Sequence, residues 1–108
     1  MKVYTDGSGN GKVCYVTADG RVRIKEYENV TNNEAEYLAV LLAVKELKGN
    51  LDVYSDSQLV VQQLNRKWSI RKDRLRKYAE MIWKHCEHRR VRFYWIPREK
   101  NPAGKVLG

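Results

Sequence analysis

Hydrophobic and polar side chains alternate along five short segments of the chain, the pattern typical of half-buried β-strands. These strand candidates cover residues 2–6, 12–17, 21–27, 51–55 and 91–96. Three other segments repeat apolar residues every three or four positions, as amphipathic helices do. They cover residues 31–48, 57–66 and 72–88. The order βββαβααβ predicts an α/β domain built around one sheet.

Turn and capping residues mark the limits of these elements. Asp19-Gly20 indicates a hairpin between the second and third strands. Thr31 is a suitable cap for the first helix, Gly49 ends it, and Pro97 ends the last strand. We find no linker or low-complexity stretch, so we predict a single domain over residues 1–108.

Two of the strand candidates end in an aspartate. Residues 3–8 (VYTDGS) resemble residues 53–58 (VYSDSQ), which gives Asp6 and Asp56 equivalent positions. Each could be only a turn or cap residue. Ligands of open α/β sheets, however, collect beyond the carboxyl ends of strands. If the two strands are neighbours, these carboxylates lie side by side and repel each other unless a cation or proton lies between them.

The first helix candidate contributes a third acidic residue. Glu36 is in line with Val40 and Leu47 on the apolar, core-facing side, whereas Glu34 lies with Lys45 on a face that we expect to be wetter. A helix-start acid is favoured by the helix dipole alone. A carboxylate on a core-facing side is nevertheless costly unless it is paired or bound to metal. Glu36 is therefore the stronger candidate for a functional acid.

Basic residues are concentrated in one quarter of the chain. Residues 66–92 contain 11 Lys and Arg against 3 Asp and Glu, and the other 81 residues contain 10 of each, so this segment accounts for the net charge of +8. Such an asymmetry favours a polyanionic partner, nucleic acid first. A solvated helix face is the alternative. We expect His85 and His88 in this segment to be surface residues.

Length and composition restrict the class of protein further. A chain of 108 residues with 43% hydrophobic residues can build a packed core without disulfide bonds or structural metal ions. Cys14 and Cys86 fit neither a disulfide framework nor a metal-ligand spacing, so we expect two buried thiols in a reducing compartment. No window approaches 18 apolar residues, and the N-terminus lacks a signal-like apolar stretch. We expect a cytoplasmic monomer with no membrane contact and no obligate protein partner.

Four segments together resemble the signature blocks of type 1 ribonuclease H (RNase HI). They are YTDGS (4–8), TNNEAE (31–36), YSDSQ (54–58) and WIPREKN (95–101), in the family's order and along nearly the whole chain. The resemblance implies a ribonuclease H-like fold, with a five-stranded mixed sheet and helices on both faces. It also implies metal-dependent cleavage of the RNA strand of RNA–DNA hybrids, usually with Mg²⁺, for which Mn²⁺ can substitute.

The resemblance also assigns roles to individual residues. Asp6, Glu36 and Asp56 match the family's catalytic, metal-binding carboxylates, and two ions would be held there with substrate. Substrate-contact positions of the family match Asn32, Asn33 and Gln58 in the minor groove and, more weakly, Asn10 and Thr31 near the backbone. The last two could be a turn residue and a helix cap instead. Arg71, Lys72 and Arg74 are expected to contact the DNA strand. Trp68 could line the same channel or belong to the core.

The chain departs from the family pattern at its C-terminal end. Relatives usually carry a fourth carboxylate, an Asp shortly after Asn101, but the closest alignment places Gly104 there and the alternative places Lys105. Glu99 is the nearest acid that could replace it. A C-terminal helix is expected to be short or missing. Two functions follow: a ribonuclease H weakened by loss of this carboxylate, or a catalytically impaired module that binds hybrids or duplexes.

Overall fold

Five strands form one mixed sheet in the order β3-β2-β1-β4-β5 in the computed structural model, which describes all 108 residues. The strands are β1 (Lys2–Gly7), β2 (Lys12–Thr17), β3 (Val22–Glu26), β4 (Leu51–Ser55) and β5 (Val91–Trp95). The helices are α1 (Asn32–Glu46), α2 (Gln58–Leu64), α3 (Asp73–His85) and α4 (Pro102–Leu107). The predicted order βββαβααβ is confirmed from β1 to β5, and α4 follows it.

The helix ends differ from their predicted limits by one to three residues. α3 stops at His85 rather than at His88, whose backbone has φ +67° and cannot continue a right-handed helix. A single 3₁₀ turn, Arg98–Lys100, follows β5 and leads into α4. α4 has six residues, so the C-terminal helix is present and short, as expected.

β1 lies at the centre of the sheet and sets the position of the predicted acids. It pairs antiparallel with β2 and parallel with β4, with Thr5 opposite Ser55. Asp6 and Asp56 each follow these paired residues, so they leave the sheet side by side at the carboxyl ends of parallel strands. The two strands are thus neighbours, which is the condition under which sequence analysis places the two carboxylates side by side.

The main core lies between the sheet and α1. Val3, Val13 and Val53 are fully buried or 1% exposed, and they share the face of the sheet on which α1 packs. α3 packs against the other side of α1, with Leu75, Ala79 and Ile82 buried. α1 is therefore enclosed on both sides, which explains why its apolar residues do not form a single stripe.

The opposite face of the sheet is covered only at one corner. α4 packs there against β1 and β2, and the Cys14 thiol donates a hydrogen bond to the Ala103 carbonyl at 3.3 Å. Tyr4, Tyr54 and Tyr94 stack across three neighbouring strands on this face, with ring centroids 5.2 Å apart at each step. Helices thus occupy both faces, as predicted, but to very unequal extents.

The expectation that Glu34 lies on a wetter face is wrong. Glu34 is 7% exposed, close to the 4% of Glu36, because α3 covers it. Its carboxylate accepts a hydrogen bond from the Thr31 backbone N–H at 2.7 Å and forms an ion pair with Arg74 at 3.3 Å. Burial is thus tolerated because partners compensate the charge.

Both thiols are free, with Cys14 buried and Cys86 half-buried. None of the helices has the length and apolar character needed to span a bilayer.

Candidate active site

Three carboxylates from three different elements converge at the carboxyl edge of the sheet. Asp6 comes from β1, Asp56 follows β4, and Glu36 projects from the first turns of α1. One oxygen of each lies within 4.8 Å of the others. The structure therefore brings together the three acids that sequence analysis singled out.

Close contact between β1 and α1 places Glu36 in this group. A Cβ on Gly7 would lie 2.3 Å from the backbone C and O of Ala35, so only glycine allows this approach. The Gly7 N–H then donates a hydrogen bond to Glu36 Oε1 at 3.0 Å. A backbone group thus fixes the carboxylate that the helix delivers.

The cluster carries more negative charge than its surroundings neutralise. Burial, followed by the charge of Asp56, raises the pKa of Asp6 to about 6. Burial, followed by the charges of Asp6 and Asp56, raises the pKa of Glu36 to about 8. The Gly7 N–H and the guanidinium of Arg98 counteract these increases only in part. A bound cation would remove the cause of the mutual repulsion.

These raised pKa values predict that metal-free protein loses stability as the pH rises. The folded chain binds more protons than the unfolded chain between the ordinary glutamate value of 4.5 and about 8, so the contribution of Glu36 is most favourable below that window. We expect the metal-free chain to unfold at a lower temperature at pH 8 than at pH 5. Thermal unfolding in EDTA and in Mg²⁺ measures this, and Mg²⁺ should stabilise the chain more at pH 8.

Glu36→Gln is the control for this pH effect. The stability of this variant should depend less on pH between 5 and 8, because it lacks the carboxyl group whose pKa is raised most in the cluster. Equal pH dependence in the parent and in this variant would contradict the electrostatic interpretation of the cluster.

The donor set fits a hard divalent cation such as Mg²⁺ or Mn²⁺. All three side chains offer carboxylate oxygens, the ligands that Mg²⁺ prefers. Cys14 lies beside Asp6 in the sheet, but burial and then the charges of Asp6 and Glu36 raise the pKa of its thiol to about 12. Cys14 therefore remains a neutral thiol and does not compete as a thiolate ligand.

Sequence analysis missed the positioning role of Asn101. This residue is fully buried, and its Nδ2 donates hydrogen bonds to the Thr5 carbonyl at 2.9 Å and to Asp56 Oδ2 at 3.1 Å. Its Oδ1 accepts from the Ala103 N–H and caps α4. One amide thus joins β1, Asp56 and α4. An asparagine before Pro102 signals a helix cap, but no local pattern reveals its contact with Asp56.

Replacing Asn101 with Ala is expected to lower the free energy of unfolding by roughly 2 kcal/mol or more. A lost N-cap costs about 1 kcal/mol, and unsatisfied buried acceptors cost about 1–3 kcal/mol. Urea unfolding measures the change. Asn101→Asp retains the cap but sets a second carboxylate against Asp56, so in EDTA it should also be destabilised. Unchanged stability of Asn101→Ala would contradict this role.

Gly104 faces the carboxylates from the first turn of α4. A Cβ built on it would lie 3.7 Å from Asp6 Oδ2 and 3.9 Å from Asp56 Oδ2, which is ordinary contact. A cleft of about 360 Å³ opens beside it, and Arg98, Glu99 and Lys105 are among its lining residues. Glu99 lines the cleft but is not one of the three grouped carboxylates.

The three predicted minor-groove residues are all exposed, but only one of them lines this cleft. Asn32, Asn33 and Gln58 are exposed at the starts of α1 and α2, and Asn32 lines the cleft itself. Thr31 caps α1 by accepting a hydrogen bond from the Glu34 N–H at 3.1 Å. Asn10 is a turn residue whose Oδ1 accepts from the Lys12 N–H at 3.2 Å. For these last two residues, the structural roles are directly visible.

The basic residues before and at the start of α3 lie at the same end of the molecule as the cleft. Arg71 and Lys72 are exposed and form no ion pair, whereas Arg74 is held by Glu34. Trp68 is 47% exposed, which excludes the core, one of the two alternatives left open for this residue. Beside it, the guanidinium of Arg66 stacks on the ring of Trp83 at 3.7 Å from the centroid.

Comparison with known proteins agrees with this architecture. RNase H1 from the halophilic archaeon Halobacterium salinarum superimposes with a TM-score of 0.84 at 26% identity, covering 98% of this chain and 92% of that one. LC11-RNase H1, solved in complex with an RNA/DNA hybrid, gives 0.78 at 25% identity and covers 99% of each chain.

Relatives in sequence are matched over only part of their own length. An uncharacterised protein of Mycobacterium bovis is 32% identical over 103 residues, which is 87% of this chain but 28% of that protein. The chain spans less than two-thirds of the curated relatives it matches first. The RNase H family profile matches residues 1–103, almost the full length. With its mixed five-stranded sheet and its converging acids, the chain belongs to the RNase H family.

Proposed function

We propose that this chain hydrolyses the RNA strand of RNA–DNA hybrids with the help of divalent metal. The observation that carries the proposal is the convergence of Asp6, Glu36 and Asp56 within 4.8 Å at the edge of the sheet. The hybrid-bound state of LC11-RNase H1, which shares this fold, supports the choice of substrate. Net charge of +8 suits a polyanionic partner.

The three carboxylates would hold the metal, with Mg²⁺ proposed and Mn²⁺ able to substitute. Two such ions roughly 4 Å apart supply an activated water and stabilise the leaving oxygen in phosphodiester hydrolysis. Asp6 and Asp56 offer oxygens from rigid strand ends, and Asn101 fixes the orientation of Asp56. Glu36 is held by the Gly7 N–H through one oxygen, which leaves its other oxygen free.

Selection of the RNA strand is assigned to the polar residues around the cleft. Asn32, Asn33 and Gln58 are exposed amides that can donate to and accept from base edges in the wide minor groove of an A-like duplex. Glu36 would accept a hydrogen bond from a ribose 2′-hydroxyl. This group distinguishes RNA from DNA, so cleavage is confined to the RNA strand.

The DNA strand is assigned to the basic surface beside the cleft. Arg71, Lys72 and Arg74 would contact its phosphates, and the exposed Trp68 would pack along the backbone between them. Arg74 contributes less than its neighbours because Glu34 already compensates its charge.

Neutralising two of these bases should weaken the salt dependence of hybrid binding. Each phosphate contact contributes about 0.9 to the slope of log affinity against log salt, so Arg71→Gln with Lys72→Gln should reduce the slope by about 1.8. Adding Arg74→Gln should bring the total reduction to roughly 2 to 3. Fluorescence anisotropy over a salt series measures the slope.

A matched pair of substitutions serves as the control for this experiment. Arg21→Gln with Lys25→Gln removes the same charge from exposed positions on and beside the β3 edge. If both pairs change the slope equally, Arg71 and Lys72 belong to a solvated face rather than to a contact surface.

Gly104 favours a second candidate function, the binding of hybrids or duplexes without efficient cleavage. Glycine offers no ligand where a side chain would reach Asp6 and Asp56. Incubation of labelled hybrid with the chain in Mg²⁺, Mn²⁺ or EDTA separates the two functions. RNA fragments that form in metal and not in EDTA support the enzyme. Retained binding with no fragments in either metal would overturn it in favour of the binding module.

A further inference from the structure

The basic segment 66–92 divides into two surfaces at opposite ends of the molecule. α1 and α3 run in the same direction, because Arg74 contacts Glu34 near both helix starts while Arg89 contacts the last carbonyls of α1 after α3 has ended. From Glu36 to Glu46, the last residue of α1, the helix rises about 15 Å at 1.5 Å per residue. The bases at the far end are therefore remote from the carboxylates.

We name this far end the distal basic surface, and it consists of Lys45, Lys48, Lys84, His85, Arg89 and Arg90. A small cleft of about 180 Å³ joins the ends of both helices, with Lys45, Lys48, His85 and Arg89 among its lining residues. Arg90 is tied to the same corner by its N–H, which donates to Asn50 Oδ1 at 2.8 Å. The surface is thus continuous across two helices and a loop.

Helix capping does not account for these charges. The half-buried Arg89 already donates to the carbonyls of Val44, Leu47 and Gly49 at the end of α1. Lys45, Lys48, Lys84 and Arg90 are exposed, and none of them forms an ion pair. Glu87 is the one acid in the loop beside them, and Glu46 is engaged by Arg23 and Tyr15. The surface therefore retains a net positive charge, because Glu87 is the one acid beside several unpaired bases.

We propose that the distal basic surface binds the phosphate backbone of a second nucleic-acid segment, separate from the duplex at the carboxylate cleft. The carboxylate cleft lies near the starts of α1 and α3, whereas the distal basic surface lies at their ends, so a duplex held at the cleft would leave this surface available. Unpaired, exposed lysine and arginine side chains are suited to phosphates, which they bind without sequence preference. The chain would thereby join two duplexes or two distant parts of one polymer. The proposal requires no cleavage.

Energy transfer between two labelled duplexes tests this proposal. In Mg²⁺, the Asp56→Asn variant is mixed with a donor-labelled RNA–DNA hybrid and an acceptor-labelled DNA duplex, each about one helical turn of roughly 10 base pairs. We expect transfer that requires protein. Adding Lys48→Gln and Arg90→Gln should abolish most of the transfer, reduce the salt slope of the second binding event by about 1.8, and leave binding of the first duplex unchanged.

The matched control adds Arg21→Gln and Lys25→Gln, which remove the same charge, and should preserve the transfer. Absence of energy transfer with the Asp56→Asn variant alone would overturn the proposal. An equal loss of transfer after the Lys48/Arg90 and the Arg21/Lys25 substitutions would also overturn it. So would weaker binding of the first duplex in the Lys48/Arg90 variant, because both surfaces would then hold one duplex. Binding to phosphatidylserine vesicles without transfer would assign the surface to membranes. Hybrid cleavage by the unmodified chain is measured in a separate experiment, from the RNA fragments formed. Its absence would contradict the proposed function without changing the result of the energy-transfer experiment.

Discussion

Asp6→Asn, Glu36→Gln and Asp56→Asn are each expected to abolish hybrid cleavage while the fold remains intact. Each substitution removes one of three carboxylates that lie within 4.8 Å and would share the metal. It also relieves the repulsion that raises the pKa of Asp6 and Glu36. In EDTA, therefore, each variant should unfold at the same or a higher temperature than the parent. Gel analysis of labelled RNA and thermal unfolding measure the two effects.

Asp52→Asn is the matched control for these substitutions. Asp52 lies at the other end of β4 from Asp56 and undergoes the same chemical change. The Asp52→Asn variant should cleave the hybrid at the rate of the unmodified chain. Full activity of Asp6→Asn would remove the assignment of this cluster, and loss of activity with loss of folding would leave only a structural role.

Gly104→Asp is expected to raise the cleavage rate more than tenfold, equivalent to about 1.4 kcal/mol of barrier. The added Cβ has room at 3.7 Å from Asp6 Oδ2 and 3.9 Å from Asp56 Oδ2, so a carboxylate at this position can join the ligand set. Hybrid affinity should change little, because the contacts outside the cluster are untouched. The cleavage rate is more sensitive than hybrid affinity to this carboxylate, since reacting groups must be placed to within about 0.5 Å. Single-turnover cleavage measures the rate.

Gly104→Asn provides the control of equal size without the charge. Gly104→Asn should not raise the cleavage rate as Gly104→Asp does, because an amide is a weaker metal ligand than a carboxylate. The parent should work better in Mn²⁺ than in Mg²⁺, and Gly104→Asp should reduce this difference. If Gly104→Asp and the parent cleave at the same rate in both metals, the site does not need a fourth carboxylate here.

The order of the elements along the chain and the three acids could be predicted because short-range patterns encode them. Alternation defines β1 and β4, and an aspartate at the end of each becomes a neighbour once the two strands pair in parallel. Glu36 followed from its position on a core-facing side of α1. The inference about Glu36 needed only the periodicity of a helix. The inference about the two aspartates needed only strand alternation and the parallel pairing of β1 with β4.

Contacts between distant elements could not be predicted in the same way. Glu34 appeared exposed because its helix face carries lysines farther along, yet α3 buries it and Arg74 pairs with it. Residues 66–92 looked like one basic patch because the sequence does not show that α3 separates its ends. Asn101 reaches Asp56 across 45 positions of the chain. Such contacts depend on tertiary packing rather than on local periodicity.

The hydrogen bond between Gly7 and Glu36 also makes one backbone amide a natural reporter of the cluster. Gly7 N–H donates directly to Glu36 Oε1 at 3.0 Å, in a contact that admits no side chain at residue 7. Protonation of Glu36 or capture of an ion changes the electron density at the acceptor, and the nitrogen and proton chemical shifts of Gly7 respond. The occupancy of the cluster can therefore be followed by nuclear magnetic resonance in the unmodified chain, without substrate and without turnover.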